Sequence, residues 1–233
     1  MIEQLLTDAK KACRTFQMVD SDTKIQALES IAKYLIQKQD VILQANEKDI
    51  AQAKENGISS AMIDRLLLTS DRIQEISDGV LKVAHLEDPV GQVIREMHRP
   101  NGLLIKQIRI PIGTVGVVYE ARPNVTVDIA AICIKTNNVC ILKGGKEAFY
   151  SNMALAQVMQ EAIQDILPVS PIYMIDEMDH AVVSELISDR AHVDVVIPRG
   201  GKGLIQYVVQ NAKVPVIETG AGLCHLYVDK EAD

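Results

Sequence analysis

The chain has no tryptophan and only two phenylalanines, and aromatic residues make up 3% of its 233 positions. A core without large rings has to be filled by Ile, Val, Leu and Ala, which suits a buried parallel sheet covered by helices. Cysteine is sparse and solitary: Cys13, Cys133, Cys140 and Cys224 form no C-x-x-C pair and no Cys/His cluster at zinc spacing. That excludes a disulfide framework or a zinc module and fits a reduced, cytoplasmic protein. No apolar run is long enough to span a bilayer, and the opening MIEQLLTDAKKACRTF lacks the apolar centre of a signal peptide. Positive charge is in deficit: 24 Lys and Arg stand against 31 Asp and Glu, a net charge of −7, which argues against a nucleic-acid partner. The basic residues of interest lie beside glycines, a pattern suited to a small anionic ligand.

Hydrophobic residues are 48% of the chain, enough for a folded domain. Residues 1–86 read as helices. In DTKIQALESIAKYLIQKQ, the residues Ile25, Leu28, Ile31, Ala32 and Leu35 make one stripe, with Asp20 or Ser21 as its cap. A following helix stops at Gly57, Ser59 or Ser60 starts another, and Ser70 is placed to cap DRIQEISDGVLKVAHL. The texture breaks at Asp88-Pro89 and Gly91, and LLIKQIRIPIG then reads as an edge or hairpin strand.

From Val115 onward, short apolar strands alternate with helices. Strands are expected at 115–120, 138–143, 171–175, 193–198, 214–218 and 223–228, and helices at 124–136, 147–166, 178–189 and 202–211. Strands apolar on both faces indicate an α/β fold with a doubly wound, mostly parallel sheet, whose ligands sit beyond the strands' carboxyl ends. Two corners of similar design lie there. Lys143, Gly144, Gly145 and Lys146 follow one strand; Arg199, Gly200, Gly201 and Lys202 follow another. Each pairs glycines with cations at a helix opening, where free N–H groups favour an anion. Neither is G-x-G-x-x-G or a P-loop, and a ligand-free structural corner reads the same way. The missing P-loop also argues against a kinase.

The phrases YEARPNVT, LKGGKEA and IPRGGKGL, within a likeness that runs the length of the chain, resemble the aldehyde dehydrogenase superfamily and, inside it, the gamma-glutamyl phosphate reductases. The resemblance implies a cofactor domain of that superfamily's type. Residues 1–86 would be its helical part, 87–218 its dinucleotide-binding part, and 219–233 the start of a segment leading to a catalytic domain. It implies NADP-dependent reduction of gamma-glutamyl phosphate, in proline biosynthesis, by a full-length protein that forms homo-oligomers. By position, Asn124 matches the family's oxyanion donor, with helix capping as its other reading. Lys143 matches the ribose-contacting lysine, and Lys146 stands where many relatives carry a glutamate, which favours NADP. Gly200, Gly201 and Lys202 would meet the pyrophosphate. Glu218 matches the active-site glutamate segment, and Arg122 is a candidate for a substrate anion, or for a surface ion pair.

The same resemblance places the nucleophilic cysteine beyond Asp233, so the chain reads as truncated and inactive alone. Cys224 and His225 are strand neighbours that point apart and form no dyad. Cys133 and Cys140 sit in apolar segments and look structural, as Cys224 does, and Cys13 is incidental. A non-catalytic dinucleotide-binding module is the alternative reading.

Overall fold

In the computed structural model, residues 2–179, 181–218 and 225–230 are described. Five helices come first: α1 (Glu3–Phe16), α2 (Ser21–Gln37), α3 (Gln39–Glu55), α4 (Ser60–Leu66) and α5 (Ser70–Ala84). Asp20 caps α2, its Oδ1 accepting from Thr23 N at 2.9 Å. The cap of α5 is Thr69, whose hydroxyl accepts from Arg72 N at 3.2 Å, one residue earlier than the expected Ser70. Both residues could cap, and the one with extended backbone does. Gly57 ends its helical region at φ +66°.

The hairpin follows, β1 (Val93–His98) paired antiparallel with β2 (Leu104–Ile108). Then come β3 (Thr114–Tyr119), α6 (Pro123–Lys135), β4 (Val139–Lys143), a 3₁₀ turn at Lys146–Ala148, α7 (Phe149–Ile163), β5 (Ile172–Met174), α8 (Ala181–Ser188), β6 (Val195–Arg199) and α9 (Lys202–Asn211). The sheet order is β5-β4-β3-β6, with every pair parallel. The expected strand at 214–218 reduces to a single parallel bridge between Val216 and Val196. Of the expected strand at 223–228, residues 225–228 are not in a strand, and 223 and 224 lie outside the described residues.

Every residue of β3 and β4 is buried, which explains their unbroken apolar character. On one side α6 and α7 cover the sheet, backed by α2, α3 and α5, while α1, α8 and α9 group on the other. One apolar core runs from Leu6 and Phe16 through Leu28, Ile31 and Leu35 to Val117, Ile141 and Leu186, so the N-terminal helices and the sheet share it. The chain winds from β3 through β4 to β5, then crosses back to place β6 on the other flank of β3. That reversal is a topological switch point, and it opens a crevice at the carboxyl end of β3. Among the described residues no helix is long and apolar enough to cross a membrane.

Candidate functional site

Glu120 is the residue immediately after β3, and both glycine corners meet it. Its N–H donates to Arg199 O at 3.1 Å, continuing the β3–β6 ladder by one step. Its carboxylate turns toward the second corner, where Oε2 accepts from Gly201 N at 2.8 Å. Gly201 is the N-cap of α9 and has no side chain to satisfy the N–H groups of the first turn. The Glu120 carboxylate takes that role, an anion held by helix-terminal N–H and dipole. A Cβ on Gly200 would fall 2.6 Å from Glu120 Cδ, and one on Gly145 would fall 3.4 Å from Glu120 Cα. The two corners therefore flank one residue, Glu120.

Beside Glu120 opens a cleft of about 580 Å³. Of the residues the sequence singled out, Arg122, Arg199, Gly200, Gly201, Lys202 and Glu218 line it. Its charged lining comprises four cations (Arg65, Arg122, Arg199, Lys202) and two carboxylates (Glu120, Glu218). In a chain of net charge −7 this is a local reversal of sign.

The first corner is placed differently. Lys143, Gly144, Gly145 and Lys146 lie across Glu120 from the cleft and are not among its lining residues. Lys143 is buried and donates to Gly144 O at 2.9 Å. Burial pulls its ammonium below the ordinary range, and the Glu147 carboxylate works against that pull. Lys146 is exposed and opens the 3₁₀ turn. Gly144 lies against the buried Asn152, where a Cβ would overlap Nδ2 and come within 3.3 Å of Tyr119 Cε2. Asn152 cannot easily swing away. Its Oδ1 accepts from Thr126 Oγ1 at 2.9 Å, and Thr126 in turn bonds the buried Tyr119 hydroxyl at 2.6 Å. The missing side chain at Gly144 thus serves internal packing.

Gly144→Ala should cost about 1–3 kcal/mol through overpacking, lowering the melting temperature by roughly 5 °C. Gly203→Ala, at a position with nothing within 4 Å of the new methyl, should instead hold or slightly raise it. Equal melting temperatures for the two variants in a thermal shift scan would contradict this account of Gly144.

Asn124 sits on a second cleft, of about 450 Å³. The capping role expected of it is not observed. Arg122 is the N-cap of α6, Pro123 takes the first helical position, and the Asn124 amide donates to Asp128 Oδ2 at 3.0 Å, one turn onward. Proline at that position removes an N–H that needed no cap. The surface ion pair considered for Arg122 is also not observed, since its guanidinium has no partner among the described residues. Arg122 and Arg65 line both clefts and form the boundary between them. Arg65 and Glu120 are site residues that the sequence reading missed. Glu120 carries a local signal, a carboxylate one step beyond a fully apolar strand and between two glycine corners. Arg65, on the short α4, carries none.

The described cysteines stay out of both clefts. Cys13, Cys133 and Cys140 are buried free thiols. The neighbouring Cys133 thiol and burial push Cys140 up, and burial pushes Cys13 up, so both remain protonated and poorly nucleophilic. Cys224 lies outside the described residues.

The profile of the Aldehyde dehydrogenase family matches residues 1–233. The chain belongs to the aldehyde dehydrogenase family. Among curated relatives, a protein of Geobacillus sp. (strain WCH70) named gamma-glutamyl phosphate reductase is 47% identical over 224 residues, covering 96% of this chain and 54% of that protein. The crystal structure of the gamma-glutamyl phosphate reductase of Thermotoga maritima superposes with a TM-score of 0.93 at 39% identity, covering 99% of this chain and 56% of that one. The Saccharomyces cerevisiae protein of the same name gives a TM-score of 0.86 at 31% identity, over 92% of this chain and 55% of its own. This aldehyde dehydrogenase family chain spans about half the length of the relatives it matches. Their fold is the one described above, a parallel α/β sheet preceded by helices.

Proposed function

We propose that this chain is the dinucleotide-binding part of an NADPH-dependent reductase that converts gamma-glutamyl phosphate to glutamate 5-semialdehyde and phosphate, a step of proline biosynthesis. Residues 1–86 and 87–218 make up that part, and 219–233 lead out of it. The observation that carries the reading is the Glu120 carboxylate on Gly201 N–H. There the chain's own carboxylate oxygen stands in for a phosphate oxygen at the opening of α9. The cationic cleft beside it and the printed names of the relatives agree with that ligand class.

The residues present fit such a cofactor. Gly200, Gly201, Arg199 and Lys202 would hold its pyrophosphate, Lys143 its ribose and Lys146 a 2′-phosphate. The nicotinamide, when bound, supplies the hydride. Asn124 carries an amide to the cleft that adjoins the cofactor's, where it would donate to the oxyanion forming on the acyl carbon. In comparable sites such a donor contributes roughly 3–4 kcal/mol to the transition state. Glu218, at the cleft wall, completes the set. The acyl-transfer thiolate comes from outside the described residues, since Cys13, Cys133 and Cys140 are buried. Those inert thiols also favour a second reading, a module that binds the dinucleotide without chemistry.

Calorimetric titration with NADPH tests the binding that both readings share. The wild-type chain should bind NADPH, and Glu120→Gln should tighten binding about threefold to tenfold, because a neutral amide no longer competes as an anion for the α9 terminus. Absence of binding at millimolar NADPH would overturn the proposal. NADPH formation from glutamate 5-semialdehyde, NADP and phosphate, by a chimera in which this chain replaces the matching half of a gamma-glutamyl phosphate reductase that supplies the thiolate, separates the reductase from the non-catalytic module.

A further inference from the structure

We infer that Arg65 and Arg122 form a two-guanidinium seat for the phosphoryl group of the acyl-phosphate substrate; this rests on the reductase reading above. Each of these residues lines both clefts, so the pair stands where the cationic cleft meets the one that holds Asn124. Neither guanidinium has a hydrogen bond or ion pair among the described residues. The neighbouring Arg72 shows the contrast. It is fully engaged, donating to Leu67 O at 2.7 Å and Asp64 Oδ1 at 2.9 Å, and also to Asp64 O.

The carboxylates nearby are mostly engaged as well. Glu120 is tied to Gly201 N–H, Asp64 to Arg72, and Asp128 to the Asn124 amide. Glu75 lines the cleft that holds Asn124, and Glu218 lines the cationic one. Both side chains are exposed, and what singles the pair out is its place: two guanidinium groups on the boundary shared by two clefts mark a place for an anion from outside.

Geometry identifies which anion. An acyl phosphate carries its carbonyl and its phosphorus on one shared oxygen, so the phosphoryl seat must adjoin the oxyanion donor. Arg122 is two residues from Asn124, and two residues of chain span at most about 7 Å. Arg65 approaches from α4, which is anchored by the buried Leu66, whose carbonyl accepts from Asn46 Nδ2 at 2.8 Å. Guanidinium is the suitable group, because its planar fork matches a phosphate face in a bidentate way that an ammonium cannot. The pyrophosphate of the dinucleotide is the other possible source of a phosphate, and it has its own corner at Gly200, Gly201 and Lys202.

The test titrates the full chain with acetyl phosphate, and separately with NADPH, in wild type, Arg65→Gln, Arg122→Gln, Arg65→Lys and the remote control Arg95→Gln. Circular dichroism melts confirm that each variant folds. Each Gln variant should weaken acetyl phosphate binding about tenfold, or about 1.4 kcal/mol. Arg65→Lys should recover part of the loss, NADPH affinity should change less than threefold, and Arg95→Gln should change neither. Acetyl phosphate binding that survives both Gln substitutions overturns the seat. So does a parallel loss of NADPH affinity, which would assign the arginines to the cofactor. If the wild type binds NADPH but no acetyl phosphate, the seat fails and the reductase reading stands. If it binds acetyl phosphate through these arginines but no NADPH, the seat stands and the reductase reading fails.

Discussion

Replacing Lys24 with methionine should destabilise the fold by about 3–5 kcal/mol, the usual cost of removing one partner from a buried charged set. In a chain of this length that is roughly 10 °C in melting temperature. Lys24 is 1% exposed on the apolar face of α2. Its ammonium pairs with Asp88 at 2.6 Å, donates to Lys135 O at 3.2 Å and donates to Asn137 Oδ1. Asn137 holds the left-handed turn after α6 at φ 54°, and its amide donates to Phe16 O at the end of α1 and to Val19 O beyond it. One ammonium thus joins α1, α2, the end of α6 and the start of the hairpin segment. Methionine fills the volume and leaves Asn137 Oδ1 and the Asp88 carboxylate short of a donor.

The pH dependence gives a second, independent reading of the same pair. Burial alone would raise Asp88, but the Lys24 ammonium and Val90 N–H hold it below the ordinary carboxylate range. A depressed folded value means that the stabilisation is present above the unfolded value, near pH 4, and is lost as pH falls through the folded value. In Lys24→Met the hold of the ammonium is lost, Asp88 moves up, and protonating it relieves a charge that has lost its partner. The gap in stability between wild type and variant should therefore be widest at neutral pH and narrow below about pH 4. Asp88→Asn added to Lys24→Met should recover part of the loss. Urea melts at pH 7 and pH 4 that showed equal gaps would refute the pairing.

Lys24 also marks a limit of sequence reading. The stripe of α2 was legible at Leu28, Ile31, Ala32 and Leu35, all buried as expected. Ile25, which the pattern also placed inward, is only half-buried, and Lys24 takes the inner position. Periodicity favours isoleucine over lysine there, because the partners that make a buried lysine tolerable come from Asp88, Lys135 and Asn137, far along the chain. The same division holds at the candidate site. The alternation of apolar strands with helices was local information, and it placed β3 to β6 and both glycine corners to within a few residues. Contacts between corners were not local. Glu120 meets Gly201 across 81 residues, and the packing of Gly144 on Asn152 depends on how α7 crosses the sheet. The segment near Val216 pairs with β6 at one parallel bridge only, although Val214 is buried and Val216 packs against the core.

The charge at Lys146 should decide between cofactors. Lys146→Glu is expected to weaken NADPH binding about a hundredfold while leaving NADH unchanged or slightly tighter. The magnitude follows from Coulomb's law. A unit pair about 5 Å apart in water interacts by roughly 0.8 kcal/mol, and reversing the side chain changes its charge by two units against a 2′-phosphate of about −1.5 to −2, for roughly 2.5–3 kcal/mol in all. That is about a hundredfold in affinity. Lys146 is suited to this role because it is exposed, at the opening of the 3₁₀ turn, and no described residue pairs with its ammonium. Lys143 is unsuited to it, because its ammonium is buried and donates to Gly144 O. Glu147 next door would add to the repulsion in the variant. Because the contact is exposed, the NADPH preference should shrink as salt rises from 0.05 to 0.5 M, with the Debye length falling to a few ångströms. Calorimetry on wild type and variant, with both cofactors, checks each part. Equal wild-type affinity for NADPH and NADH, or an NADPH affinity untouched by the glutamate, would show that the 2′-phosphate does not bind at this corner.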